Sequence, residues 1–323
     1  MSSENTHIIP ALAKFKQPLI FFALALLAGC DLLNNDNKGR CTIFCEDFQF
    51  MHIDKEPSWS PDGETIAFIR GSTEPGKHGI YLIGPDGENL RQVHAGVAGS
   101  PSWSPDGEWI AFHENAQIYK KHIETDSLVQ LTNQGRNFHP AWSPDGEWIA
   151  FNMSICDGPD TCGIWLMSSN GTQKRNLSNF GNFPDWHPNN GNVAFIRKRV
   201  DEGYTTGNEF WESEADSESG RELLIIFLSD EYHFDTRYLK YSPDGQRMVF
   251  TSQPRSAQSG FAYPQIWTMD LEDSYRKQLT ENGGWAADWS PDGDWIVYTE
   301  TYETGRLWLM RPDGSEKQQL TFE

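Results

Sequence analysis

Along most of the chain, short apolar runs alternate with polar turns, and one junction between them keeps returning. It reads SWSPDGETIAF at 58–68, SWSPDGEWIAF at 102–112, AWSPDGEWIAF at 141–151, YSPDGQRMVF at 241–250 and WSPDGDWIVY at 289–298. In Ser104-Pro105-Asp106-Gly107, Pro pre-sets φ at the second turn position, Asp suits the third and Gly takes the left-handed fourth. Such a connection joins two hairpin strands. Trp103 ends the first, and Trp109 to Phe112 begin the second. Asp62, Asp106, Asp145, Asp244 and Asp292 hold the third turn position in separate copies, which assigns them to turn structure rather than to a ring of ligands. The copy WHPNNGNVAF (186–195) puts Asn189 and Asn190 in place of Asp-Gly, and Asn tolerates the left-handed conformation.

A second strand-turn-strand pattern follows each junction, as in IYLIGPDGENLRQV (80–93), IYKKHIETDSLVQLT (118–132), IWLMSSNGTQKRNLS (164–178) and LWLMRPDGSEKQQLT (307–321). Each unit therefore carries four short strands, A to D, in an up-and-down meander. The equivalent residues Trp59, Trp103, Trp142, Trp186, Tyr241 and Trp289 count six units, spaced 39 to 55 residues apart. This period predicts an all-β fold, a six-bladed β-propeller of four-stranded antiparallel blades, over residues 55–323. Each blade is expected to keep its own D strand, with FQFM (48–51) as the alternative, swapped closing strand for blade one.

The W-S-P-D-G repeat followed by an aliphatic strand resembles the TolB-type propeller repeat of bacterial periplasmic proteins, over residues 57–321. Related repeats occur in prolyl-oligopeptidase-type peptidases and oligogalacturonate lyases. The resemblance implies a propeller scaffold that binds envelope partners. TolB itself carries an α/β domain before its propeller, for which residues 31–54 are expected to leave no room, so the resemblance carries the propeller's general behaviour and leaves a Tol–Pal-type role open.

One apolar segment, PLIFFALALLAG (18–29), follows Lys14 and Lys16 and is shorter than the ~20 residues a membrane span needs. Leu27-Ala28-Gly29-Cys30 resembles a bacterial lipobox, which makes residues 1–29 a signal peptide, Cys30 the lipidated mature terminus and 30–54 a tether. Asp31 resembles the inner-membrane retention signal of enterobacterial lipoproteins, a position that other bacteria read differently. An exported chain with four further cysteines favours disulfides. Cys156 and Cys162 bracket DGPDT in one loop and are expected to pair, leaving Cys41 and Cys45 to pair or stay reduced. Net charge of −20 disfavours nucleic acid and anionic membrane surfaces, and it favours a basic or cation-bearing partner over an acidic one.

The A–B and C–D turns are short and uniform, so irregular length falls on the B–C and D–A face, where binding is expected. The longest insert, 196–222, runs from Arg197-Lys198-Arg199 into an acidic stretch, which reads as a solvated loop. Tyr204, Phe210 and Trp211 within it are candidate anchors for a partner. The D–A loops are expected to carry Arg136, Phe138, His139, Phe183, Arg237, Tyr238 and Trp285 at the channel mouth, with Asp185, Lys240 and Asp288 on the innermost strands. These aromatic and charged groups have the make-up of a ligand site; the plainer reading is packing between blades and hydration of the channel.

G-x-S-x-G, P-loop, H-E-x-x-H and EF-hand motifs are absent from the sequence, and the pattern calls for no cofactor or metal. A lyase would hold a metal on several histidines. Here His139 and His233 are placed in D–A loops, His113 at the start of a B–C loop and His187 in an A–B turn on the other face. The expectation is a monomeric, lipid-anchored envelope protein facing the periplasm that binds a protein, peptide or glycan. An oligogalacturonate-lyase-like enzyme and a structural spacer are the alternatives. Cys30→Ser is expected to leave the protein uncleaved at this site or to release it from membranes; undiminished labelled-palmitate incorporation would contradict the lipobox assignment.

Overall fold

The computed structural model describes residues 52–154, 162–201, 204–215, 222–229, 235–253, 263–301 and 305–322. All of these lie within the compact unit Met51–Glu323. Blade one is β1 (His52–Trp59), β2 (Ile66–Ser72), β3 (Gly79–Ile83) and β4 (Arg91–Ala95). Blade two is β5 (Ala98–Trp103), β6 (Trp109–Glu114), β7 (Gln117–His122) and β8 (Leu128–Gln130). Blade three is β9 (Asn137–Trp142), β10 (Trp148–Met153), β11 (Gly163–Ser168) and β12 (Arg175–Ser178). Blade four is β13 (Asn182–Trp186), β14 (Asn192–Asp201), β15 (Tyr204–Glu214) and β16 (Glu222–Ser229). Blade five is β17 (Asp235–Tyr241), β18 (Arg247–Gln253), β19 (Gln265–Asp270) and β20 (Arg276–Gln278). Blade six is β21 (Trp285–Trp289), β22 (Ile296–Thr299), β23 (Leu307–Met310) and β24 (Gln318–Gln319). Every sheet pairs its four strands in chain order and antiparallel, which is the expected six-bladed propeller.

The repeated turn forms as its residues dictate. In blade two, Ser104 and Trp109 close the hairpin through Ser104 N–H to Trp109 C=O at 2.9 Å, and Gly107 sits at φ +73°. The Asp106 carboxylate accepts the Glu108 amide at 3.0 Å and the Ser104 hydroxyl. The same bonds recur at Asp62, Asp145, Asp244 and Asp292. Blade four departs from expectation: Gly191, not Asn190, takes positive φ, and Asn190 accepts the Asn192 amide. The turn has slipped by one residue because Asn-Asn-Gly offers an Asx acceptor and a glycine one place later.

The core lies between blades. Phe68, Phe112, Phe151, Phe195 and Phe250 from the second strands are fully buried, with Tyr298 as their sixth counterpart. Each faces the neighbouring sheet, as in the cluster of Trp59, Ile66 and Phe68 from blade one with Val297, Leu307 and Leu309 from blade six. That cluster closes the ring. Asp54 N–H donates to Gly305 C=O at 2.7 Å, and Arg306 donates to His52 C=O at 2.7 Å. All four strands of blades one and six come from consecutive segments, so closure among the described residues uses no swapped strand. Residues 48–51 lie outside the described residues, and β1 begins at His52, inside the segment assigned to the tether.

Residues 196–201 and 204–214 of the insert are strand rather than loop. β14 and β15 extend as a hairpin whose last pair is Asp201 and Tyr204. Of the basic residues that open the segment, Arg197 stands opposite Glu209 at 3.9 Å and Lys198 reaches Asp235 of blade five at 2.8 Å. Phe210 is fully buried against blade five, its ring 5.1 Å from Phe250, and Trp211 packs on Phe180 at 5.4 Å. Phe210 and Trp211 are therefore packing residues and not partner anchors. Cys162 is disulfide-bonded, while Cys156, expected as its partner, lies outside the described residues, as do Cys30, Cys41 and Cys45.

Hydrogen bonds from Ser60 and the Glu64 amide hold the Asp62 carboxyl below the usual range, and Ser290 and the Asp294 amide do the same for Asp292. A depressed folded pKa contributes stability above the unfolded value, about pH 4, and loses it as pH falls through the folded value. Asp106→Ala should lower the urea midpoint at pH 7 by the equivalent of about 1 kcal/mol, the usual worth of a lost hydrogen bond. The difference should shrink below about pH 4; a pH-independent difference would show that the turn carboxylate acts through packing alone.

Candidate functional site

Six innermost strands, β1, β5, β9, β13, β17 and β21, line the central channel, and each carries the same irregularity. In blade one, Lys55 pairs with Ile69 and Ser58 with Ala67, so the inner strand holds one residue more than its neighbour. The extra residue is Glu56, at φ +53°. Its counterparts Ser100, His139, Phe183, Tyr238 and Ala286 have φ between +43° and +55°, and every blade shows the matching register shift. Left-handed φ in a bulge is a glycine conformation; for other residues it costs on the order of 1–3 kcal/mol each. The bulge breaks the alternation of the strand and aims these side chains at the axis. The residues expected in D–A loops, Phe138, His139, Phe183, Arg237, Tyr238 and Trp285, are thus on the inner strands themselves.

Five of the six bulge residues carry side chains beyond a methyl, and they meet across the axis. His139 packs on Phe183 with ring centroids 4.3 Å apart, Phe183 on Tyr238 at 4.9 Å, and Tyr238 on Trp285 at 5.3 Å. The Tyr238 hydroxyl donates to Glu56 Oε1 at 3.2 Å, and Glu56 Oε2 accepts the Ser100 amide at 2.7 Å. Between these groups lies a chamber of about 50 Å³, lined by Glu56, Ser100, His139, Phe183, Tyr238 and Ala286 with the residues that follow them. Burial pushes the Tyr238 hydroxyl far up, so it remains a donor. Burial also lowers His113 to about 4 and keeps His139 below its ordinary range, so both imidazoles are neutral at pH 7. His139 Nδ1 lies 2.7 Å from Asn152 Oδ1.

Two residues further along the strands stands a second layer: Ser58, Ser102, Ala141, Asp185, Lys240 and Asp288. Lys240 Nζ donates to Asp185 Oδ1 at 2.8 Å. Layer-two side chains accept the amide of the next blade's aromatic: Tyr241 N–H to Asp185 at 2.9 Å, Trp59 N–H to Asp288 at 2.8 Å and Trp142 N–H to Ser102 at 3.2 Å. The indoles reach back the other way, Trp103 to Ser58 C=O and Trp186 to Ala141 C=O. A wider cavity of about 210 Å³ opens from this layer toward the Ser-Pro-Asp-Gly face. Burial works against the Lys240 charge, but Asp185 and Asp288 outweigh it and raise its pKa. Burial raises Asp288 to about 6 against the pull of Lys240.

Of the residues singled out in the sequence, the fold brings His139, Tyr238 and Lys240 to the mouth chamber, and Asp185 and Asp288 to the layer below. Trp285 and Arg237 form its rim. Arg237 lies 5.4 Å over the Trp285 ring and is bound to Asp235 at 2.6 Å. Arg136 is exposed above Phe138 and does not line the chamber. Sequence reasoning missed Glu56 and Ser100, the two bulge residues of blades one and two. Their one signal is position, the third residue before the blade aromatic, which His139, Phe183 and Tyr238 share. Of the histidines, His113 lies on β6 with its ring 5.7 Å from His139, His187 packs on Tyr241 at the far end, and His233 lies outside the described residues. Among the described residues, no three His, Cys, Asp or Glu side chains are placed to hold one metal ion.

A carboxyl whose folded pKa lies above its unfolded value of 3.8 opposes folding once ionised. Its cost is absent below about pH 4 and complete above about pH 6. Urea titrations of Asp288→Asn against the wild type should therefore show the variant gaining on the wild type by about 1–3 kcal/mol between pH 4 and pH 7. A difference that stays flat across that window would refute the assignment, whatever the hydrogen bond to Trp59 contributes.

The TolB beta propeller domain family matches residues 45–209, just over half of the chain. No curated protein matches the sequence. Among solved structures, the chain is similar to TolB from Acinetobacter baumannii at 21% identity and a TM-score of 0.65, covering 84% of this chain and 64% of that one. It thus spans less than two thirds of that protein's length. It is similar to a TolB from Agrobacterium tumefaciens at 22% identity and TM-score 0.57, covering 72% of this chain and 84% of that one. It also resembles oligogalacturonate lyase from Vibrio parahaemolyticus at 13% identity and TM-score 0.54, covering 78% and 75%. At these identities the structures speak for the fold alone, and it is the family match, in a chain of six four-stranded blades, that makes the chain a member of the TolB β-propeller family.

Proposed function

We propose that this chain is a ligand-binding propeller of the bacterial cell envelope, held to a membrane through lipid on Cys30, that takes up part of a protein, peptide or glycan at the mouth of its channel. The observation that carries the reading is the ring of six left-handed bulge residues. A scaffold alone has no use for non-glycine residues in this conformation on every inner strand, whereas strained backbone clusters where groups are held for a ligand. The strain turns a carboxylate, a hydroxyl, an imidazole, a phenyl and a phenol toward one small chamber. Membership of the TolB propeller family supports an envelope location. The −20 charge keeps the surface free of acidic polymers.

Capture from an envelope extract tests the reading. Trp285→Ala with Arg237→Ala removes the rim ring and the cation stacked on it, leaving the layer below intact. The pair should abolish capture while leaving the melting temperature nearly unchanged. Undiminished capture by a folded double variant would reduce the mouth to scaffold and leave the spacer reading in its place.

A further inference from the structure

The chemistry of the mouth chamber selects among ligands, and the following inference rests on the reading of the mouth as a binding site. Glu56 is the acidic member of the bulge ring, and its position toward the axis is set by backbone rather than by a flexible stem. The carboxylate is held by the Ser100 amide at 2.7 Å, the Ser100 hydroxyl at 3.2 Å and the Tyr238 hydroxyl at 3.2 Å. Oε1 accepts only from Tyr238 among these bonds, which leaves it capacity for a second donor, and Glu56 lines the chamber. Burial alone would raise this carboxyl, but the Lys55 charge and the Ser100 amide hold it below its ordinary range, so it is ionised.

Around that charge the wall is aromatic: Phe183 and Tyr238 at 4.9 Å from one another, with the neutral His139 ring 4.3 Å from Phe183. Ring faces next to a carboxylate favour a cation through their quadrupoles. Below, two carboxylates, Asp185 and Asp288, share one ammonium, Lys240. At the rim, Arg237 and, at 2.8 Å, Lys198 share the carboxylate of Asp235, outside the chamber lining. Lys55 adjoins Glu56 in sequence and favours its ionised form, and Lys240, the ammonium in the chamber lining, is bound to Asp185, so Glu56 is the carboxylate that the lining offers. Size then narrows the choice. A chamber of about 50 Å³ exceeds the 10–15 Å³ that one water requires, and is far below the 300 Å³ at which drug-sized ligand pockets begin. It admits a compact head and a methylene or two, and excludes a sugar ring or an indole.

We infer that the mouth chamber binds a primary ammonium group presented by a peptide, either a lysine side chain or a free amino terminus, with Glu56 as counter-ion and Phe183 and Tyr238 as its aromatic walls. The ammonium donates to Glu56 Oε1 while the attached methylenes lie along the rings. The acidic surface of the protein raises the local concentration of such a partner.

The test is a titration of the purified protein, labelled with ¹⁵N at its histidine imidazoles, with three peptides. Acetyl-Gly-Lys-Gly-amide presents the side-chain amine, Gly-Gly-Gly-amide the terminal amine, and acetyl-Gly-norleucine-Gly-amide neither. At least one amine-bearing peptide should shift the His139 and His113 signals saturably, and the stronger of the two names the source. The norleucine peptide should leave them in place. Glu56→Gln keeps the shape of the side chain and should weaken binding by about tenfold or more, and affinity in the wild type should fall as salt is raised. Equal shifts by lysine and norleucine peptides would overturn the charge inference and leave the mouth as a binding site. Absence of any shift with both amines up to their solubility limits would overturn it as well, and the rim-variant capture experiment separately decides whether the mouth binds a partner of another kind.

Discussion

A four-stranded blade has two apolar faces and no means of covering either one alone, and everything else in this structure follows from that constraint. Phe68, Phe112, Phe151, Phe195 and Phe250 lose all contact with water only when the next sheet is laid against them. Five such interfaces stack in chain order, and the sixth, between blades six and one, must be made by residues more than two hundred positions apart. Trp59 and Phe68 meet Val297 and Leu309 there, and the Trp59 amide finds Asp288. Without that last contact two apolar faces would remain in water, so the closure is set by the same burial that builds each blade.

Closing six sheets into a ring brings six inner strands side by side around one axis, where regular alternation would send every second side chain at the same crowded centre. The bulge resolves this by inserting one residue in each strand. Side chains on one side of it line the mouth chamber, and those two places on form the hydrogen-bonded layer of Asp185, Lys240 and Asp288. The two layers therefore divide the work. The lower one ties blade to blade through backbone amides, and its charges are largely spoken for. The upper one has strain in its backbone and a carboxylate with capacity to spare, which is why binding is assigned to it.

Legibility in the sequence followed the range of the interactions involved. The turn around Asp106 was readable because its hydroxyl, carboxylate, amide and glycine lie within six residues, and each acts on the others. Asn190 and Gly191 misled because two adjacent residues can adopt the same conformation, and only the closed hairpin decides between them. Phe210 and Trp211 misled for a different reason. They sit in a strand of mostly polar residues, and their apolar partners Ile196 and Phe195 stand on the other strand, so the strand character shows only once the two are paired. The channel residues His139, Tyr238 and Trp285 were chosen correctly for chemistry but placed in loops. A left-handed bulge has no sequence mark when the residue is not glycine, and it is defined only by counting against the neighbouring strand.

Glu56 and Ser100 show where sequence reasoning ends. Nothing in Lys55-Glu56-Pro57 or Gly99-Ser100-Pro101 signals that these side chains meet 44 positions apart through the Ser100 amide. Gly99 matters for the same reason. A Cβ there would stand 2.5 Å from the ring of His113, so the absence of a side chain on one strand makes room for the imidazole of the next. His113 in turn lies beside His139, and the same Cβ would stand 3.4 Å from Glu56 Oε2. A small residue, a neutral ring and an acidic residue on three strands thus act as one unit. The repeat that built the scaffold is periodic, but the mouth is not: each blade contributes a different residue at the same backbone position, and the site's selectivity lies in those six differences.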